Sequence, residues 1–197
     1  TTKKKFSFHN IFLFKKIYLD LDGVLADFFL EWKKIIGKEW WELNNNKIAV
    51  QKIREDKDFW LRLPMLKNGY DLLCILKKHN LAYGILSSPL QNDKKCRSQK
   101  IQWVKKMLGF YPPSKVIISN TKEVFAKDEF GRPNLLIDDY GLNIRKWEQN
   151  GGIGIKHKDH KYLRTKVRLE SIIKNKYENL LDNVKYNHNS LIKYKTG

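Results

Sequence analysis

Cysteine is scarce in this 197-residue chain: Cys74 and Cys96 are too few for a disulfide framework and suit a reducing compartment, with a cytoplasmic location expected. Long apolar runs are missing too. No stretch approaches the roughly 18 consecutive apolar residues that a membrane-crossing helix needs, so no membrane partner is expected. The opening TTKKKFSFHNIFLF is basic and apolar but lacks the small-residue cleavage site of a secretory leader. No internal repeat and no Gly/Ser linker interrupts the sequence. The five histidines show no ligand spacing beyond one H-x-x-H, His157 and His160, which reads as incidental. Acidic residues are outnumbered, 21 against 39 Lys and Arg, giving a net charge of +18.

What is present is a globular composition, 42% hydrophobic and 13% aromatic, enough for one sizeable core with a small insert. The positive charge gathers at the ends. Residues 1–16 hold five lysines and no acid, and residues 156–197 hold eleven basic residues against four acidic ones. A basic surface attracts polyanions or phosphorylated substrates; lysines decorating solvated helix faces give the same count. Charge alone does not choose between these readings.

Hydrophobic periodicity places IYLDL as a buried strand ending at the turn Asp22-Gly23. A helix is expected from Val24 to about Gly37, then helices and loops to residue 66, and an amphipathic helix in NGYDLLCILKKHN, which makes Cys74 a core residue. LAYGILSSP reads as a short strand. KCRSQKIQWVKKMLGF reads as a helix with Ile101, Val104 and Leu108 on its buried stripe, followed by the strands KVIIS and NLLIDD. A helix around Asn143 to Gln149, a strand GGIGI and a tail helix from His160 to about Tyr186 complete the pass, with Leu163, Val167, Ile172, Leu180 and Leu181 as the tail's anchors. Strands alternating with helices predict a three-layer α/β fold, a parallel sheet covered on both faces. The expected division is a core of 1–29 and 67–197, a helical cap of 30–66, and a basic extension of the core at 156–197.

In such sheets ligands sit beyond the carboxyl ends of the strands. Three strands end there in polar residues: Asp20 and Asp22, Ser87 and Ser88, Asp138 and Asp139. Four clustered carboxylates call for a hard divalent cation with oxygen ligands, most naturally Mg²⁺. Hydroxyl and lysine donors beside it would complete a site for a phosphoryl group. Asp27, one step into the helix, reads as structural.

These segments resemble a known family. DLDGV is similar to the DxDGV signature of the haloacid dehalogenase-like phosphatases, ILSSP to their strand ending in Ser or Thr, and LLIDD to their paired acids. DLDGVLADF, the aromatic pair in DFWLRLP, and ILSSPL followed by CRSQKIQWVKKMLG further resemble the 5'(3')-deoxyribonucleotidase branch, over about residues 17 to 155. Ser87 stands where that branch has Thr, VFAKDEFGRPN is longer than its counterpart, and the basic tail is unmatched. The resemblance implies a Rossmann-like core and a Mg²⁺-dependent phosphomonoester hydrolase. Asp20 would be nucleophile, Asp22 acid and base, and Ser87 and a lysine the phosphoryl-oxygen donors. Lys115, Lys122 and Lys127 are candidates for that lysine, with Lys122 preferred for its place just past a strand. Asp20, Asp22 (through its carbonyl), Asp138 and Asp139 would serve the metal, and Phe28, Phe59, Trp60 and Ser88 the nucleotide. Nucleic-acid ends, which the charge suggests, or another phosphorylated metabolite are the alternative substrates, and a catalytically idle nucleotide- or nucleic-acid-binding relative is the remaining alternative.

Overall fold

The computed structural model describes residues 14–43 and 45–178, with the last helix continuing to Lys193. Five parallel strands form one sheet: β1 (Ile17–Leu19), β2 (Gly84–Ser87), β3 (Lys115–Ile118), β4 (Leu135–Asp138) and β5 (Ile153–Lys156). Their order is β3-β2-β1-β4-β5. The chain therefore starts in the middle, builds outward through β2 and β3, then crosses back to lay β4 on the other side of β1. That reversal opens a crevice at the carboxyl ends of β1, β2 and β4. The register sets Leu19 beside Ile85 and Ile137, so these three strands end at nearly the same level.

Strand residues alternate between two apolar layers. Ile17, Leu19, Ile85, Leu135, Ile137 and Ile155 pack with α3 (Lys67–Lys78), α4 (Cys96–Met107) and α6 (Tyr162–Lys193). Tyr18, Leu86 and Leu136 face the other way, onto Phe125, Ala126 and α5 (Gly141–Gln149). Each fully buried aliphatic side chain contributes about 2 kcal/mol, and both faces of the sheet are covered. Between β1 and α3 lie α1 (Phe28–Ile36), α2 (Lys47–Glu55) and two short 3-10 helices at Trp40–Glu42 and Phe59–Leu61. No helix among the described residues is long and apolar enough to cross a membrane.

Several local expectations need correction. The first helix starts at Phe28 rather than Val24, because the amides of Val24, Leu25 and Ala26 all turn back onto the Leu21 carbonyl. Asp27 then caps it, accepting from the Leu30 amide at 3.0 Å. In α4 the buried face runs through Cys96, Gln99, Lys100, Trp103 and Val104, while Ile101 is only half-buried. Cys74 is half-buried, and Cys96 is the cysteine in the core. In the tail helix Leu163 and Val167 are exposed, and Thr165, Leu169 and Ile173 face the sheet. These three recur every four residues, and the buried Thr165 hydroxyl is satisfied by His157 Nδ1 at 3.0 Å. Ile172 is half-buried; Leu180, Leu181 and the opening TTKKKFSFHNIFL lie outside the described residues.

One close approach fixes the height of α3 against the rim. A Cβ on Gly69 would lie 2.4 Å from the Val24 carbonyl oxygen and 2.9 Å from Leu25 Cα, both backbone atoms that cannot rotate away. Gly69→Ala is expected to cost about 2–3 kcal/mol, read as a lower urea midpoint. An unchanged midpoint would contradict this packing.

Candidate active site

The polar ends of β1, β2 and β4 meet at one rim. Asp20 follows β1 directly; its amide donates to the Ile137 carbonyl at 3.0 Å, so the neighbouring strand fixes its backbone. Its Oδ1 accepts from the Leu21 amide at 2.8 Å. Asp138, the last residue of β4, is wholly buried and accepts from the Tyr140 amide at 2.8 Å and Asn143 Nδ2 at 3.0 Å. Lys122 lies in a 3-10 turn (Lys122–Phe125) that Phe125 and Ala126 anchor beneath α5. Its buried ammonium reaches Asp20 Oδ2 at 2.9 Å and Asp138 Oδ2 at 2.6 Å. The other two candidate lysines lie elsewhere: Lys115 at the start of β3 over the Tyr18 ring, and exposed Lys127 beside Gly151.

Charge at the rim is only partly balanced. Burial opposes the charge on Lys122, yet Asp20 and Asp138 outweigh it and hold the ammonium above its usual range. Burial raises the Asp138 carboxyl, and Asp20 adds to this against Lys122. Asp139 is pushed up to about 7, first by burial and then by Asp20 and Asp138. Asp20, Asp138 and Asp139 each offer an oxygen within 4.8 Å of the others. An all-oxygen set with surplus negative charge fits a hard divalent cation such as Mg²⁺. The Asp22 carboxylate is outside that group.

Gly23 makes the turn that brings this loop over the acids. Its φ is +71°, and a Cβ there would meet Asp139 Oδ2 at 2.8 Å. Both the left-handed backbone and the close carboxylate require glycine.

Asp22 faces a residue that motif reading missed. Lys100, on the buried side of α4, donates to Asp22 Oδ2 at 2.6 Å, to Ser87 Oγ at 3.0 Å and to the Ser88 carbonyl at 2.7 Å. Burial raises the Asp22 carboxyl, with Lys100 opposing and Asp20 reinforcing. The available signal was spacing, since Lys100 stands four residues after Cys96 and three before Trp103, on the inward stripe. Asn143, which holds Asp138, was missed as well.

The three aromatic candidates are together but closed. Phe28, Phe59 and Trp60 are 9%, 0% and 2% exposed, so none presents a free ring face. Phe28 and Trp60 stack with centroids 5.9 Å apart, and Phe59 meets Phe28 edge-on at 5.7 Å. Ser88 reaches the rim through its carbonyl. Polar contacts join this insert to α4 and the turn before it: Trp60 Nε1 donates to Asp93 at 2.8 Å, Lys95 to the Arg54 and Asp56 carbonyls, and Gln99 to the Lys57 carbonyl.

Several solved structures are similar to this chain. A hydrolase from Streptococcus pneumoniae TIGR4 matches with a TM-score of 0.51 and 14% identity, over 79% of this chain and 98% of that one. A HAD family enzyme from Bacteroides thetaiotaomicron, in complex with magnesium and inorganic phosphate, gives 0.45 and 18% over 75% and 95%. A HAD-superfamily hydrolase from Ehrlichia chaffeensis gives 0.45 and 13% over 74% and 88%. At such identities the likeness establishes fold alone, an α/β, Rossmann-like architecture shared with the Streptococcus pneumoniae hydrolase. No family model and no curated protein matches the sequence.

Proposed function

We propose that the protein is a Mg²⁺-dependent phosphomonoester hydrolase of the haloacid dehalogenase-like class, acting on (deoxy)nucleoside monophosphates as the 5'(3')-deoxyribonucleotidases do. One observation carries the reading: Asp20, Asp22, Ser87, Lys122 and Asp138 arrive from separate segments at a single rim, with Lys122 bonded to two of the acids. An Asp20 carboxylate oxygen attacks phosphorus, the ester P–O bond breaks, and its electron pair leaves on the sugar oxygen, which takes a proton from Asp22. A water then attacks the phosphoaspartate, giving its proton to Asp22 as the bond to Asp20 breaks. Ser87 and Lys122 donate to the non-bridging oxygens. Asp20, Asp138, Asp139 and the Asp22 carbonyl would hold Mg²⁺, which would supply further positive charge there. For a base to lie on Phe28, Phe59 or Trp60, their packed cluster has to open.

The test is phosphate release from dTMP, dUMP, dGMP, sugar phosphates and 5'-phosphorylated oligonucleotides. Nucleoside monophosphates should be turned over at least about tenfold better than sugar phosphates. Release no greater than that of an Asp20→Asn variant on every ester would overturn the hydrolase reading. The net charge of +18 supports nucleic-acid ends as the second substrate class. In that case oligonucleotide affinity falls steeply with salt, and loses that slope when the basic tail is removed.

The metal has its own pH signature. Asp139 binds a proton up to about pH 7 and must release it to serve a cation. Mg²⁺ affinity measured by calorimetry should therefore rise with pH, by up to about tenfold per unit, and level off above the Asp139 value. A flat profile between pH 5 and 8 would remove Asp139 from the metal's surroundings.

A further inference from the structure

Lys100 is a buried charge for which the residue roles above leave no use. It is 1% exposed, far from the expectation for lysine on a surface helix. Its three N–H donors are all taken: Asp22 Oδ2 at 2.6 Å, the Ser88 carbonyl at 2.7 Å and Ser87 Oγ at 3.0 Å. The Trp60 ring lies on a further side, 4.7 Å from Nζ to centroid. Trp60 is in turn fixed by its indole bond to Asp93. The ammonium is therefore held jointly by the ends of β1 and β2 and by the helical insert.

The consequence falls on Asp22. Lys100 grips Oδ2, while the other oxygen, Oδ1, is buried and has no hydrogen-bond partner among the described residues. A buried carboxylate oxygen without a partner is costly unless a ligand or chemistry uses it. Lys122, by contrast, bonds Asp20 and Asp138, so the two lysines divide the site between them.

We infer that Lys100 is the positioning residue for proton transfer: it clamps Asp22 by one oxygen and leaves the other aimed at the leaving-group oxygen. This rests on the hydrolase reading proposed above. In the forward step the P–O ester bond breaks, the electron pair moves to the leaving oxygen, and the proton on Asp22 Oδ1 follows it. Lys100 keeps its own protons throughout. Because its clamp includes Trp60, the helical insert must be seated for the clamp to be complete.

The chemistry gives a readout that general loosening of the fold would not. An alkyl ester needs its leaving oxygen protonated; p-nitrophenolate leaves without a proton. Lys100→Gln keeps a hydrogen-bond donor but loses the charge and one atom of reach, and Lys100→Met removes both charge and hydrogen bonds. With Mg²⁺ present and folding verified by thermal melts, each variant should lower kcat/KM, which covers only the steps through departure of the leaving group, by about a hundredfold on dTMP and by less than about fivefold on p-nitrophenyl phosphate; kcat also contains the water step that Asp22 assists for both esters. Because Lys100 acts through Asp22, adding Lys100→Gln to Asp22→Asn should cost little further activity on dTMP. Equal losses on both esters, or additive losses in the double variant, would overturn the inference and leave the hydrolase reading intact. Should Lys100→Met not fold, Lys100→Gln carries both comparisons. A wild-type protein inactive on both esters would overturn the hydrolase reading and this role with it.

Discussion

Asp20→Asn is expected to lower phosphate release from every monoester by a factor of at least about ten thousand, without unfolding the protein. An amide cannot attack phosphorus, so the covalent route closes. The structural cost is limited. Asp20 accepts from the Leu21 amide through one oxygen and from Lys122 through the other. Asparagine can accept only one of these, but Lys122 keeps its bond to Asp138. The expected stability loss is about 1–2 kcal/mol, that of one imperfect buried hydrogen bond. Urea denaturation and a phosphate assay on the same preparation separate the two effects. Activity within about tenfold of the wild type would mean that water attacks directly or that another group is the nucleophile.

Lys122→Met should impair both activity and stability, with a pH dependence that identifies the cause. Removing one partner of a buried ion pair costs about 3–5 kcal/mol, because the charge left behind is neither solvated nor paired. Here Asp20 and Asp138 lose their shared ammonium. Burial already raises the Asp138 carboxyl in the fold against the opposing Lys122, and without Lys122 it rises further. A carboxyl raised in the folded state binds more protons there than when unfolded, so its penalty is present above the folded value and fades as pH falls toward the unfolded one. The deficit should be largest at high pH and shrink as pH falls toward the ordinary carboxylate range, measured by urea denaturation with Mg²⁺ chelated. A deficit that did not change with pH would point to lost packing rather than stranded charge.

The local strings were the legible part of this molecule. The β1, β2 and β4 segments are short apolar runs ending in acids or serines, and sheets of this class bring such ends together, so Asp20, Ser87 and Asp138 could be placed from order alone. The order of elements likewise carried the three-layer architecture. What depended on helix facing was harder. Lys100 is hidden because a lysine on a Lys-rich helix looks solvated until Trp103 and Val104 define the inward stripe. Lys122 could be preferred but not separated from Lys115 and Lys127 without the turn that swings it under Asp138. In the tail helix, hydrophobicity pointed to Leu163 and Val167, yet the helix follows Thr165, Leu169 and Ile173 because His157 satisfies the threonine. The aromatic trio was visible as composition; that its rings pack on one another is a property of the insert's fold.

The central claim is that Asp20 carries the phosphoryl group. Rapid acid quench of the protein turning over ³²P-labelled dTMP with Mg²⁺, followed by peptide mapping, tests it most directly. The account predicts hydroxylamine-labile label on the peptide containing Asp20, absent in Asp20→Asn. Steady turnover with no labelled protein at any quench time, or label on a different residue, would contradict it.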